Sequence, residues 1–171
     1  MKLNIRNKWI SLAGSSIITD ENEQEVFKVK GKFFTLTNKK FFYDMNDKLL
    51  CMIRRRFLNF FVYKAYVFDA NMNKVCTVRR KFFSLHDHYY IKDSTKGNFE
   101  IRGNILQFNY DITREGELIG HVSRKISVRD SFELEIPDAY KDEAAFFSSL
   151  VIAIDIVTDT RDNDRCYKEV K

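Results

Sequence analysis

The segment from Ala144 to Val157 constrains the fold more than any other part of the chain. It contains no Gly or Pro and is interrupted only by Ser148, Ser149 and Asp155. Pro137 precedes it, Asp138 is suited to capping a helix, and Asp142 and Glu143 fall in an early turn, where the helix dipole favours acids. The pattern predicts a helix from Ala139 to about Thr158, with 159–171 as a short tail. Its apolar residues, among them Phe146, Phe147, Leu150, Val151, Ile152, Ile154, Ile156 and Val157, occupy every face rather than one stripe. Such a helix has to be surrounded by protein. At about 1.5 Å per residue the apolar part is roughly 21 Å long, comparable to a strand of six or seven residues.

What surrounds it is legible upstream, where the chain repeats itself. Residues 43–58, YDMNDKLLCMIRRRFL, match residues 68–83, FDANMNKVCTVRRKFF, without a gap at an offset of 25. Asp44/Asp69, Asn46/Asn71, Cys51/Cys76, Arg54/Arg79, Arg55/Arg80 and Phe57/Phe82 coincide. A looser third copy, YDITREGELIGHVSRKI at 110–126, needs a two-residue insertion. Each copy reads as a strand end, a polar turn and a strand ending in basic residues, which is the pattern of hairpins. Further turn signals recur at Asp20 to Glu23, Lys30-Gly31-Lys32, Lys96-Gly97-Asn98, Gly103-Asn104 and Arg114-Glu115-Gly116. Short strands over residues 1–136 predict one antiparallel meander of ten to twelve strands, closed as a sandwich or a barrel. A barrel of about 12 strands with the C-terminal helix as its axle satisfies both halves of the chain. With 171 residues and 44% apolar content, a single domain over 1–171 is expected.

A meander wrapped around a nearly all-apolar C-terminal helix resembles the Tubby C-terminal-like fold and, within it, the LURP-one-related family. The resemblance rests on VFKVKGKFFTLTNKKFFYD at 26–44, the repeated D-x-N turns with basic-aromatic strand ends, the YDITREGELIGHVSRK segment and SLVIAIDIV at 149–157. Asp155 within the last helix also resembles an Asp in phospholipid scramblases. The chain departs from those in lacking a Pro-rich N-terminal region, a Cys cluster for acylation and an acidic calcium-binding segment, so a scramblase-like lipid protein is the disfavoured alternative. The resemblance implies a non-enzymatic barrel, with anionic phospholipid or phosphoinositide headgroups bound by basic residues on its exterior. It transfers no individual binding position.

Charge singles out the candidate site. Residues 39–81 hold 11 basic residues and only Asp44, Asp47 and Asp69 as acids. Such a field attracts phosphates, on a membrane or on nucleic acid. The candidate lipid- or phosphate-binding residues are Arg54, Arg55, Arg56, Arg79, Arg80 and Lys81, joined by Arg124 and Lys125 of the third copy. Alternation in a strand points Arg54 and Arg56 one way and Arg55 the other. At strand ends all three are expected to reach solvent and form a shared basic rim, flanked by Phe57, Phe60, Phe61, Phe82 and Phe83. The bland alternative is a solvated strand end beside core phenylalanines. A nucleic-acid or protein interaction module on the same surface is the functional alternative.

Asp155, among apolar neighbours, reads as a structural buried acid that must be hydrogen-bonded, paired or protonated. An ion or ligand site at one barrel mouth is its functional alternative. His86-Asp87-His88 offers two possible metal ligands on one strand face, too few for a site, and reads as a surface turn. No GxSxG elbow, CxxC pair or P-loop spacing occurs. Neither an enzyme nor a cofactor is therefore expected. Cys51, Cys76 and Cys166 read as packing residues of a reduced, cytoplasmic protein, peripheral to the membrane if it meets one. The N-terminus lacks a signal-like apolar stretch, and no run reaches the about 20 apolar residues of a transmembrane helix.

Overall fold

The computed structural model describes residues 1–6, 15–31, 39–55, 63–80, 89–92, 94–124 and 131–166, without the side chains of 6, 15, 106 and 159–166. Twelve strands form a closed barrel: β1 Lys2–Arg6, β2 Ser15–Asp20, β3 Glu25–Gly31, β4 Lys39–Tyr43, β5 Leu49–Arg55, β6 Lys64–Asp69, β7 Lys74–Arg80, β8 Tyr89–Lys92, β9 Phe99–Asn104, β10 Asn109–Arg114, β11 Glu117–Arg124 and β12 Ser131–Glu135. Each pairs antiparallel with its neighbours in sequence, and β1 closes the ring on β12 through Leu3↔Leu134 and Ile5↔Phe132. Closure leaves no sheet edge exposed.

Helix α1, Ala144–Cys166, fills the interior. From Ala144 to Val157 only Ala145 and Asp155 escape full burial. The inward residues of the wall, including Leu3, Ile18, Val29, Phe42, Ile53, Val67, Val78, Ile112, Ile119 and Leu134, pack around Phe147, Leu150, Val151 and Ile154. An apolar surface all round a helix and a wall with one apolar face are complementary requirements, and only enclosure meets both.

The helix differs from expectation at each end. Residues 138–143 form a 3-10 turn instead of the first α-helical turns, and Pro137 occupies the cap position with no side-chain cap bond. Asp138 does not cap, because it lies inside the first turn, where its carboxylate accepts from the Met1 ammonium at 3.3 Å. At the other end α1 continues to Cys166, through most of the expected tail.

The repeat is also differently placed. Asp44 Oδ1 accepts from the Asn46 and Lys48 amides at 2.9 Å each. Asp69 Oδ1 accepts from Asn73 N at 2.8 Å. Asp20 Oδ1 does the same with Asn22 N at 2.8 Å and Gln24 N at 2.9 Å. The fourth turn residue has positive φ in all three: Glu23, Asp47 and Met72, at 63°, 60° and 65°. A bulge precedes each turn, at Ile18/Thr19, Phe42/Tyr43 and Val67/Phe68. The third structural copy is therefore the β2–β3 hairpin. The β10–β11 segment turns instead through Glu115 and Gly116, both at positive φ, and its Asp111 lies mid-strand against His121 Nδ1 at 2.7 Å.

Candidate functional site: the basic end of the barrel

Antiparallel order sends the odd-numbered strands toward one end and brings the even-numbered strands back from it. At that end the last two residues of each odd strand and the first two of each even strand include Arg6, Lys30, Lys39, Lys40, Arg54, Arg55, Lys64, Arg79, Arg80 and Arg124, and no Asp or Glu. The opposite end is mixed: it carries the three Asp turns with Glu21, Glu23 and Asp47, the Glu115 turn, and Asp138 and Asp142 beside the helix entry, together with Lys2, Lys48, Lys74, Lys96 and Arg114. The strand ends without an acid thus lie together at one end of the barrel.

The ends of β5, β7 and β11 lie at the same end of the barrel, with β11 four strands round from β7. The expectation that whole triplets reach solvent needs correction. Alternation persists to the strand ends, so Arg55 follows Cys51 and Ile53 into the interior face, while Arg54 follows Met52 outward. Arg80 likewise points inward beside Tyr89 and is only 9% exposed. Its guanidinium lies 5.8 Å from the Tyr89 ring centre. Arg54 and Arg79 therefore face outward, Arg55 and Arg80 line the mouth, and Arg124 follows Val122 onto the inward face but is exposed at the rim. Arg56, Lys81 and Lys125, with Phe57, Phe60, Phe61, Phe82, Phe83, His86, Asp87 and His88, lie outside the described residues.

Two outward cations, Arg54 and Lys30, rest on aromatic rings. Arg54 stands 5.3 Å above Phe68 and 5.8 Å above Tyr66. Lys30 stands 4.9 Å above Tyr43. Arg79 is paired in register with Tyr90. Cation–π contact fixes the Arg54 head without neutralising it. Among the described residues neither Arg54 nor Arg79 forms an ion pair. Lys28 and Lys30 share Asp47, at 3.4 and 3.2 Å. Hydrogen bonding from Lys30, aided by the charge of Lys28, holds the Asp47 carboxyl below its ordinary range.

The sequence reading missed Arg6, Lys30, Lys39, Lys40 and Lys64. A signal for Lys30 was present: it lies ten residues after Asp20, as Arg54 follows Asp44 and Arg79 follows Asp69. Lys40 has no such signal. It shares the inward face of Phe42 opposite Ile53 and is 6% exposed, which follows from register alone.

Inside the mouth, Tyr89 OH and Thr158 Oγ1 of α1 are 2.9 Å apart. Asp155 is partly exposed rather than buried, since α1 reaches the mouth there, and it has an interaction partner. Burial, then the nearby charge of Asp155 and then Tyr89, push the Tyr110 hydroxyl well above its ordinary pKa. Cys51 and Cys76 are free and buried, and desolvation raises both thiols to about 12. Such thiols are inert packing groups. Among the described residues no group of three or more His, Cys, Asp or Glu is arranged to hold a metal. Among the described residues no helix is long and apolar enough to cross a membrane.

A closed twelve-stranded barrel threaded by its C-terminal helix defines a Tubby-like barrel protein. The LURP-one-related family model matches residues 1–155, and the chain belongs to that family. It is 27% identical over 158 residues to the "uncharacterized protein YxjI" of Bacillus subtilis (strain 168), covering 92% of this chain and 93% of that one. An X-ray structure of an Arabidopsis thaliana protein shares the fold, with a TM-score of 0.60 at 20% identity, covering 92% of this chain and 90% of that one.

Proposed function

We propose that this protein is a non-enzymatic membrane-surface adaptor whose basic barrel end associates with anionic phospholipid or phosphoinositide headgroups. The observation that carries the reading is that one set of strand ends holds cations and no acids. Anionic lipid attracts a basic patch with about 1 kcal/mol per Lys or Arg near the surface. Arg54 and Arg79 suit that role because they are outward and outside any ion pair among the described residues. The aromatic faces beside Arg54 favour phosphate over bases as the partner. Tyr66 and Phe68 are covered by the guanidinium, whereas base stacking needs a free ring face.

Flotation with neutral and anionic vesicles across a salt series tests the reading, with duplex RNA as competitor. Salt-sensitive binding to anionic vesicles is expected, lost in Arg54→Glu/Arg79→Glu and retained in Glu21→Lys/Glu23→Lys at the opposite end. Failure of the native chain to float at low salt, or capture of the RNA in preference to vesicles, overturns it.

A further inference from the structure

Register gathers a basic panel on the outside of the wall. Across β5 to β8, Arg54 pairs with Tyr66, Tyr66 with Thr77 and Thr77 with Lys92. The next row toward the basic end runs Lys64, Arg79 and Tyr90. Alternation turns these residues outward, because Ile53, Ala65, Val67, Cys76, Val78 and Ile91 of the same strands are buried in the core. Asp69 is the acid on these four strands, and its carboxylate accepts from the backbone and side chain of Asn73 in its own turn. Among the described residues Arg54, Arg79 and Lys92 form no ion pair. Met52 and Thr77 also point outward yet are only 7% and 5% exposed. The panel is therefore filled between its cations rather than hollowed around one point, and the Arg54 head lies along it over Phe68.

Closure decides which strands can touch a flat surface together. Twelve strands stand about 30° apart round the axis, with outward side chains centred about 16 Å from it. A plane touching the wall between β6 and β7 lies about 5 Å from the side chains of β5 and β8, and about 12 Å from those of β4 and β9. Extended Lys and Arg side chains span the smaller gap and not the larger. Diametrically opposite stand β12 and β1. There the outward charges are Glu133, Glu135 and Lys2, and Lys2 is held by both carboxylates at 3.3 and 3.5 Å. Charge is thus divided around the barrel, a basic panel on one side and an acid-rich, internally paired wall on the other.

Resting on the reading above, the geometry points to an extended anionic bilayer met side-on by the β5–β8 wall, with the barrel lying on its flank and the β12–β1 wall facing away. The contact then runs from the basic end down to Lys92, a residue outside that end. Arg54, Arg79 and Lys92 each meet a separate headgroup, so affinity is the product of several modest contacts rather than one strong one. Tyr90, exposed beside Arg79, carries the apolar body and polar tip suited to the headgroup level.

The test uses the full chain with phosphatidylserine/phosphatidylcholine vesicles. Lys92→Gln is expected to weaken binding about fivefold, as are Arg54→Gln and Arg79→Gln singly. Inositol hexakisphosphate should displace the protein no better than plain salt of equal ionic strength. Orientation is read independently by a fluorophore on Tyr90→Cys in the panel, on Ile17→Cys on the outer face of β2, or on Gln107→Cys in the 3-10 turn at the basic end, all three positions being exposed. Each is made with Cys166→Ser, since the buried Cys51 and Cys76 thiols will not label. A headgroup quencher should quench the Tyr90→Cys label and spare the other two. Unchanged binding by Lys92→Gln, stoichiometric displacement by the soluble polyphosphate, or quenching at Gln107→Cys or Ile17→Cys equal to that at Tyr90→Cys overturns the side-on contact while leaving lipid binding intact. Absence of vesicle binding by the native chain overturns the function itself.

Discussion

At one end of the barrel the chain reverses within a few residues at Asp20, Asp44 and Asp69, and a carboxylate accepting backbone amides closes each turn. At the other end the same strands finish on Lys30, Arg54 and Arg79, and a carboxylate partner among the described residues exists only for Lys30. The turn end spends its charge on structure. It is locked further where Glu143 meets Arg114 at 2.8 Å and Lys96 at 3.1 Å, while Arg114 covers the Tyr140 ring at 5.0 Å. Charges used in internal bonds hold the fold together, whereas charges held outward over rings remain available to a partner. That difference is the reason the basic end is the one proposed to meet a partner.

Variants can break or sharpen this contrast. Leu150 is wholly buried in the segment of α1 that joins the two ends. Leu150→Ala should cost about 2–5 kcal/mol in chemical denaturation. Loss of one end's protection alone in hydrogen exchange would show that the ends unfold separately.

Glu143→Gln should cost about 1 kcal/mol at neutral pH, as expected for a small network rather than a lone surface pair. Burial alone would raise the Glu143 carboxyl, but hydrogen bonds from Arg114 and Lys96 outweigh it and hold it below its ordinary value. The stability it contributes is therefore present above the unfolded-state value of about 4.3 and is lost as pH falls through the lower folded value. The difference between the variant and native chain should shrink below about pH 4, measured by thermal unfolding across pH. Vesicle binding should not change.

Asp69→Ala should lower the Tm by a few degrees through loss of the turn bonds. The side-chain and backbone bonds from Asn73 hold this carboxyl below its ordinary value, so the effect should also fade in acid. Tyr110→Phe should change stability least, by under about 1 kcal/mol and toward greater stability. The Tyr110 hydroxyl is buried and lacks a hydrogen-bond partner among the described residues, and deleting such a group removes an unmet desolvation cost.

Much of this architecture was legible before folding. The all-round apolarity of 144–157 demanded enclosure, and the D-x-N turns announced the hairpins. The third copy at Asp20-Glu21-Asn22 went unread because its strand carries Val29, Lys30 and Gly31 where the others carry Ile53/Val78 and paired arginines. Identity had drifted there while the Asp-amide bonding and the bulge remained. The β10–β11 segment kept the look of a copy, with a Tyr-Asp start and a basic end, but closes through a two-residue turn.

The sequence by itself determined the strand-and-helix division, the enclosed helix and the excess of cations in 39–81, because these follow from local periodicity and composition. Tertiary structure decided which end of the barrel each charge occupies, and which of two adjacent arginines faces solvent. Arg79 and Arg80 are chemically alike and adjacent in sequence, yet one stands outward and the other is buried in the mouth. Strand parity and closure set that difference, and both depend on pairings between residues far apart in the chain.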